Sequence, residues 1–244
     1  MIKAVIFDLD NTLYSFDDGT KAGVEAFAKY CVEELGIDHD DAVKGWKDAM
    51  DEQRRQMTDF YPSVHNRSVR AQLFLRKRGI SDIPHAAKLA EAYWNGLMDS
   101  MVPEEGIEEL FSELKKNGLK IAVGTNMTAY VQNLKLERLG LGKYVDYLIS
   151  SEEAMYEKPT KGFFEYLLQT VGVNADEAVF IGDSIEHDID GAKTVNMPYA
   201  WYTGHAKDKD YERAEKEAVN NRIASYKDCI REDGSIKLGE IGVL

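Results

Sequence analysis

The chain has 244 residues, and 44% of them are hydrophobic, enough for one large domain or for a core with a smaller insert. Its 43 acidic and 30 basic residues give a formal net charge of −13. This charge argues against general affinity for nucleic acid or anionic membranes, because both need a basic face. No apolar run approaches the roughly 18 residues that a membrane helix requires.

The first predicted element is a buried strand over Ile2–Phe7, an apolar run that ends at Asp8 and Asp10. In an open parallel sheet, the carboxyl end of a strand faces the ligand crevice. Two carboxylates this close repel each other unless a cation or a shared proton compensates them, and Mg²⁺ is a hard cation that favours oxygen ligands. The pattern therefore indicates a magnesium site, although Asp and Asn also suit an ordinary turn at this place.

These two aspartates also interrupt any apolar stretch of a signal peptide. The chain has two cysteines, Cys31 and Cys229, which lie far apart in the sequence and belong to no CxxC pattern. Two such cysteines do not form a disulfide framework, so we expect buried thiols in a reducing, cytoplasmic setting.

After Tyr14 the strand pattern stops, and the segment SFDDGTKAG is predicted to be a polar loop with Gly19 and Gly23 as hinge positions. Apolar residues then recur at helical spacing, and no strand is evident between Ser15 and Ser100. The helices predicted in this stretch cover Val24–Leu35, Asp40–Met57, Val69–Arg78 and Ala86–Met98.

The second half alternates between helices and strands, which predicts an α/β fold with a parallel sheet and right-handed crossovers. Each predicted strand or helix start delivers a polar group. The strand Leu119–Val123 leads to Thr125 and Asn126, and Lys158 precedes Pro159 at the start of an amphipathic helix. The strand Ala178–Ile181 leads to Asp183, with Asp188 five positions later. A short strand over Tyr147–Ser150, a charged helix after about Ala206 and room for an edge strand near Arg222–Tyr226 complete the predicted elements.

In their order and residue types, these groups resemble the four motifs of the haloacid dehalogenase superfamily of phosphohydrolases. The resemblance covers roughly residues 1–14 and 100–205. It implies a Rossmann-like core formed by residues 1–14 and 100–244, with a small helical cap domain, residues 15–99, inserted after the first strand. The matching residues are Asp8-Leu9-Asp10-Asn11-Thr12, Thr125 with Asn126, Lys158, and Gly182-Asp183-Ser184 with Asp188.

The resemblance also implies a role for each matching residue. Asp8 would attack phosphorus and form an aspartyl-phosphate, and Asp10 would act as general acid and then general base. Mg²⁺ would bind Asp8, the backbone carbonyl of Asp10 and Asp183, with Asp188 as an outer or water-mediated ligand. The groups expected to hold the phosphoryl group are Thr125, Asn126, Lys158 and the backbone N–H groups around Leu9.

Within the superfamily, Asp10 argues against a dehalogenase, which lacks this second aspartate. Thr12 and the residues around Asn126 and Asp188 look more like the branch of nucleotidases and acylneuraminate-phosphate phosphatases. We therefore expect a phosphatase of small phosphomonoesters, such as nucleotides or sugar phosphates. A sugar phosphomutase and a catalytically weak binding protein on the same fold remain alternatives. Candidate contacts for the rest of the substrate are Tyr14, Phe16, Asp17, Asp18, Arg54, Arg55, Tyr61, His65 and Arg67.

Overall fold

The computed structural model describes residues 1–57 and 62–243, and the chain divides into two compact units. One unit joins residues 1–15 to the stretch from Val102 onward, and the other spans Phe16–Met101. The second unit thus interrupts the first one in sequence, shortly after its first strand. Tyr61, a candidate substrate contact, lies outside the described residues.

Within the described residues, the first unit contains a six-stranded parallel sheet with the strand order β3-β2-β1-β4-β5-β6. Its centre is fully buried, since all four residues of β1 have no solvent exposure. A two-stranded antiparallel hairpin of β7 and β8 follows near the end of the chain. The strands are β1 (Ala4–Phe7), β2 (Lys120–Thr125), β3 (Tyr147–Ser150), β4 (Ala178–Gly182), β5 (Tyr199–Tyr202), β6 (Arg222–Ile223), β7 (Lys237–Leu238) and β8 (Ile241–Gly242).

The α-helices are, in chain order, α1 (Phe16–Leu35), α2 (His39–Gln56), α3 (Arg67–Arg76), α4 (Asp82–Asp99), α5 (Ile107–Lys116), α6 (Ala129–Arg138), α7 (Ser151–Ala154), α8 (Lys161–Val171), α9 (Asp190–Thr194) and α10 (Asp208–Lys216). Short 3-10 turns and one π-helical turn, Ile185–Ile189, lie between them. Among the described residues, no helix combines the length and apolarity needed to cross a membrane.

The second unit is helical, and aromatic side chains form its core. Phe27 of α1 packs against Trp46 of α2 and Phe74 of α3, with ring centroids 4.3 and 5.0 Å apart. Trp46 also contacts Tyr93 of α4 at 5.2 Å. Helices α1 and α4 approach closely at Gly23, where an added Cβ would lie 2.7 Å from the carbonyl oxygen of Tyr93.

The α/β class with a Rossmann-like parallel sheet is confirmed. Two local predictions were wrong. The first strand begins at Ala4 rather than Ile2. The segment predicted as a polar loop with glycine hinges instead forms the first part of α1. Gly19 and Gly23 are buried inside this helix, and at Gly23 the close approach of α4 outweighs the low helix propensity of glycine.

The predicted edge strand corresponds to β6, which pairs in parallel with β5 over two residues. Both cysteines are buried and unpaired, as predicted. Burial raises the pKa of each thiol to about 12, so neither is a reactive thiolate at neutral pH.

Candidate active site

The polar groups predicted at the strand ends meet in one pocket of the first unit. Strands β1, β2 and β4 lie side by side in parallel register, so their carboxyl ends open at the same edge of the sheet. The pocket has a volume of about 260 Å³. Its lining residues are Asp8, Asp10, Thr125, Asn126, Lys158, Asp183, Ser184, His187 and Asp188.

Asp8 occupies its place because the pairing of β1 with β4 continues one residue beyond the strand. The Asp8 amide donates to the carbonyl oxygen of Ile181 at 2.8 Å. The chain then turns sharply, since the amides of Thr12 and Leu13 both donate to the Leu9 carbonyl and Asn11 adopts φ +60°. The Leu9 side chain is fully buried, and Leu9 is not among the residues that line the pocket.

A buried lysine links two of the carboxylates. Lys158 Nζ donates to Asp8 Oδ1 at 2.5 Å and to Asp188 Oδ1 at 2.6 Å, and all three side chains are at most 7% exposed. Burial alone would lower the pKa of Lys158, but the charges of Asp188 and Asp8 raise it above its usual value. Lys158 is therefore a permanent cation in the centre of the acidic cluster.

The remaining acids carry more negative charge than this lysine neutralises. Burial raises the pKa of Asp8 to about 7, and the charges of Asp188 and Asp10 act in the same direction against the opposing effect of Lys158. Burial also raises the pKa of Asp183, together with the charges of Asp188 and Asp8. A further cation beside these carboxyl groups would lower both pKa values.

The geometry of the cluster fits a divalent cation. Carboxylate oxygens of Asp8, Asp183 and Asp188 lie within 4.8 Å of one another. Carboxylate oxygens are the donors that hard cations such as Mg²⁺ prefer. Gly182 permits this packing, because an added Cβ would lie 2.3 Å from Asp188 Oδ2.

One hydroxyl group and two backbone amides fix the acids in place. Thr12 Oγ1 accepts a hydrogen bond from the Asp183 amide at 3.1 Å and lies 3.3 Å from Asp8 Oδ2, so it bridges β1 and β4. The Ser184 amide donates to Asp188 Oδ2 at 2.9 Å. Both oxygens of Asp188 are thereby engaged, since Lys158 occupies Oδ1.

Asn126 has a structural role that the sequence did not reveal. Its Oδ1 accepts from the Lys158 amide at 2.8 Å, and its Nδ2 donates to the Lys158 carbonyl at 3.1 Å. This residue at the end of β2 therefore holds the backbone that carries the catalytic candidate Lys158.

Asp10 has a different set of hydrogen-bond partners, which does not include Lys158. Its Oδ1 accepts from Lys135 Nζ and from the Tyr14 hydroxyl, both at 2.6 Å. Its Oδ2 accepts from Gln132 Nε2 at 3.3 Å. Burial would raise the pKa of Asp10, but the charge of Lys135 and the three hydrogen bonds outweigh it and lower that pKa below its usual value.

Gln132 and Lys135 were missed as site residues, although the sequence contains a signal for them. In α6 they lie between Val131 and Leu136 on the buried side of the helix, and both are 0% exposed. A glutamine and a lysine within an apolar helical stripe are unusual, because burying such groups is costly without specific partners.

Two of the candidate substrate contacts, Tyr14 and Arg67, are buried among protein groups. Tyr14 is fully buried, and its hydroxyl donates to Asp10. Arg67 is 6% exposed in the helical unit, where its guanidinium group stacks on Tyr93 and Trp94. His187 is exposed and is one of the residues that line the pocket.

Comparison with known proteins gives one family match and several similar sequences. A family model described as haloacid dehalogenase-like hydrolase matches residues 2–196. The ribulose-1,5-bisphosphate 5-phosphatase of Halopiger xanaduensis is 34% identical over 235 residues, which cover 95% of this chain and 98% of that protein. The pyrimidine 5'-nucleotidase YjjG of Escherichia coli is 30% identical, with 84% and 88% covered. The N-acylneuraminate-9-phosphatase of Rattus norvegicus is 26% identical, with 80% of each chain covered.

Among solved structures, the phosphatase of the same superfamily from Thermococcus onnurineus is similar, with a TM-score of 0.66 and 24% identity. The similarity covers 89% of this chain and 99% of that one. The 2-haloacid dehalogenase of Pseudomonas syringae gives a TM-score of 0.72 at 22% identity, with 93% and 95% covered. At these identities the likeness concerns the fold.

Proposed function

Because the chain belongs to the haloacid dehalogenase-like hydrolase family, we propose that it is a Mg²⁺-dependent phosphatase of small phosphomonoesters that works through an aspartyl-phosphate. One observation carries the proposal: the carboxylate of Asp8 is bonded to the buried cation Lys158 in a pocket that also holds the acids Asp183 and Asp188. Nucleophile, countercharge and candidate metal ligands thus share one small space, as phosphoryl transfer requires.

In the first step, a carboxylate oxygen of Asp8 forms a bond to phosphorus while the bond to the leaving oxygen breaks. Asp10, in its protonated form, gives its proton to that oxygen, and an alcohol departs. In the second step, water attacks phosphorus, the bond to Asp8 breaks, and the Asp10 carboxylate takes the proton of the water. Inorganic phosphate leaves, and Asp8 is restored.

The phosphoryl oxygens would be held by groups that the fold already orients. Thr125 Oγ1 accepts a hydrogen bond from Gln132 at 2.7 Å, so its own hydroxyl proton is available for a phosphoryl oxygen. Lys158 supplies a fixed positive charge beside Asp8. Mg²⁺ held by Asp8, Asp183 and the backbone carbonyl of Asp10, with Asp188 in the outer shell, would neutralise charge on the phosphoryl group.

The second unit, Phe16–Met101, is proposed to be the helical cap domain that the resemblance implies for residues 15–99. The relatives act on different phosphate esters by name, a sugar bisphosphate, a pyrimidine nucleotide and a sugar-acid phosphate among them. The proposed substrate class is therefore the small phosphomonoester.

The test is phosphate release by the wild-type protein from a panel containing ribulose-1,5-bisphosphate, pyrimidine nucleotides, N-acylneuraminate 9-phosphate and an aryl phosphate. Each substrate is assayed with Mg²⁺ and after chelation. Mg²⁺-dependent release that favours one class supports the proposal and identifies the substrate. If the folded protein releases phosphate from no substrate of the panel, the proposal is contradicted. That result would favour a phosphomutase or a regulatory binding protein. A requirement for a bisphosphate activator would reveal the phosphomutase.

A further inference from the structure

Lys135 is a buried cation, and its position needs an explanation. Its side chain on α6 is 0% exposed, and its ammonium group reaches Asp10 Oδ1 at 2.6 Å. Removing an ammonium group from water is unfavourable unless a well-placed anion compensates it. A chain that needed only a packed helix would place an apolar residue there, between Val131 and Leu136.

The contacts of Asp10 are strongly asymmetric. Oδ1 accepts two hydrogen bonds at 2.6 Å, from Lys135 and Tyr14. Among the described residues, Oδ2 has one longer contact, with Gln132 Nε2 at 3.3 Å. A proton on Oδ1 would point toward two hydrogen-bond donors and be repelled by them, whereas a proton on Oδ2 has only one, more distant, amide donor beside it. Oδ2 is therefore the oxygen that can exchange a proton while the carboxyl group keeps its place.

Gln132 connects this arrangement to the phosphoryl-binding hydroxyl. The same Nε2 donates to Thr125 Oγ1 at 2.7 Å. Gln132 and Lys135 are three residues apart and thus lie on one face of α6. One helix face therefore contacts both Asp10 and Thr125.

We propose that Lys135, with Tyr14 and Gln132, is a positioning residue that anchors Oδ1 of Asp10 and leaves Oδ2 as the oxygen that exchanges the proton. This inference rests on the proposed function, because it concerns the acid–base step of that reaction. When the ester bond breaks, a proton carried by Oδ2 moves to the leaving oxygen, and Asp10 returns to the carboxylate that Lys135, Tyr14 and Gln132 favour in the free protein. When water attacks the aspartyl-phosphate, Oδ2 takes a proton from it and the carboxyl group is restored.

The chemistry provides a readout that a merely structural role would not change. A general acid matters most for a poor leaving group, such as an alkyl alcohol, and least for an acidic phenol. We therefore compare kcat/KM for an alkyl phosphate and for 4-nitrophenyl phosphate in wild type and Lys135→Met. The expected loss is about 100-fold for the alkyl ester and less than about 10-fold for the aryl ester. Equal losses for both esters would overturn the inference.

A double-mutant cycle separates action through Asp10 from other effects of the lysine. In an Asp10→Asn background, Lys135→Met should cause no further loss on the alkyl ester, because the group that it positions is already gone. Additive losses would contradict the inference. Lys143→Met is the matched control, since Lys143 is also ion-paired but 61% exposed, and it should leave both kcat/KM values unchanged.

Tyr14→Phe decides the question if Lys135→Met does not fold, because it removes one hydroxyl and keeps the ring. We expect the ratio of alkyl to aryl kcat/KM to fall several-fold in this variant, and an unchanged ratio would overturn the inference. Hydrolysis of neither ester by the wild type overturns the proposed function and the inference with it. Hydrolysis of both by the wild type, with unchanged selectivity in the variants, overturns the inference alone.

Discussion

Asn126 and Lys158 exchange two hydrogen bonds between a side-chain amide and a backbone peptide, although 32 residues separate them in the sequence. The side-chain amide of Asn126 binds both the N–H and the carbonyl of Lys158. The backbone of Lys158 therefore cannot move relative to Asn126 without breaking both bonds. The position of the ammonium group beside Asp8 therefore depends on a residue that touches neither Asp8 nor Asp188 through a hydrogen bond.

Asn126→Ala removes both bonds, and each such bond is worth about 0.5–1.5 kcal/mol. We expect the free energy of unfolding to fall by about 1–3 kcal/mol and kcat/KM to fall by about tenfold, because Lys158 loses its fixed position. Denaturant unfolding and phosphatase assays measure the two effects. Asn133→Ala is the matched control, since Asn133 makes one exposed bond to Ala129. Equal effects of the two substitutions would contradict the positioning role.

Asp8→Asn should abolish the activity while the fold stays intact. The amide is a poor nucleophile, so we expect kcat to fall by about 10³-fold or more. Phosphate release from the best substrate and the circular dichroism spectrum provide the measurements. Asp40→Asn serves as control, because the Asp40 side chain is 98% exposed and lies in the helical unit. Turnover near that of the wild type would disprove the assignment of Asp8 as nucleophile.

Binding of Mg²⁺ should depend on pH, with a window set by Asp8. The pKa of this carboxyl is raised from its ordinary value of 3.8 to about 7, so the metal-free folded protein binds more protons than the unfolded chain between these values. The contribution of Asp8 to the stability therefore declines as pH rises through that window. Bound Mg²⁺ removes this loss, but below about pH 7 it must first displace the proton.

We expect Mg²⁺ to raise the melting temperature strongly at about pH 8 and weakly at about pH 5.5, with an affinity that falls by up to about tenfold per pH unit below 7. Thermal unfolding with MgCl₂, compared with NaCl at equal ionic strength, measures this difference. The same increase in melting temperature at both pH values would show that no proton competes with the metal.

Gly182→Ala should damage the acidic cluster selectively. The new Cβ would lie 2.3 Å from Asp188 Oδ2, so the carboxylate must move away from Lys158 and from the Ser184 amide. We expect activity to fall at least about tenfold, together with weaker stabilisation by Mg²⁺. Gly142→Ala is the control, because its new Cβ would meet no atom closer than 3.9 Å. Normal activity of Gly182→Ala would mean that Asp188 has no fixed position in the reaction.

The sequence predicted the class of fold and the family, both of which are confirmed, because these depend on local patterns. Asp8, Thr125 and Asp183 each follow an apolar run, and the parallel pairing of β1, β2 and β4 brings such positions to one edge. Their roles in catalysis stay predictions. The beginning of α1 was not predictable in the same way, because Gly19 and Gly23 favour a loop unless a partner helix packs on them, and that partner is distant in sequence.

Lys135 and Gln132 show a second reason why part of the site could not be predicted from the sequence. Their contacts with Asp10 join positions 125 and 122 residues apart, and helical spacing alone does not reveal the partner of a buried polar group. The spacing reveals only that a lysine and a glutamine fall on an apolar face. That observation marks them for attention, and only the three-dimensional arrangement connects them with the carboxyl group.

The central place of β1 in the sheet has a consequence for biosynthesis. Strand β1 is made first, yet its two neighbours, β2 and β4, begin at Lys120 and Ala178. Until the ribosome has released residues 178–182, one edge of β1 has no native partner and Asp8 has no carbonyl of Ile181 to bond. Pairing over such distances is slow, and an apolar unpaired edge is prone to association with other chains. We therefore expect a nascent chain that stops between β2 and β4 to expose this unpaired edge and to be prone to association.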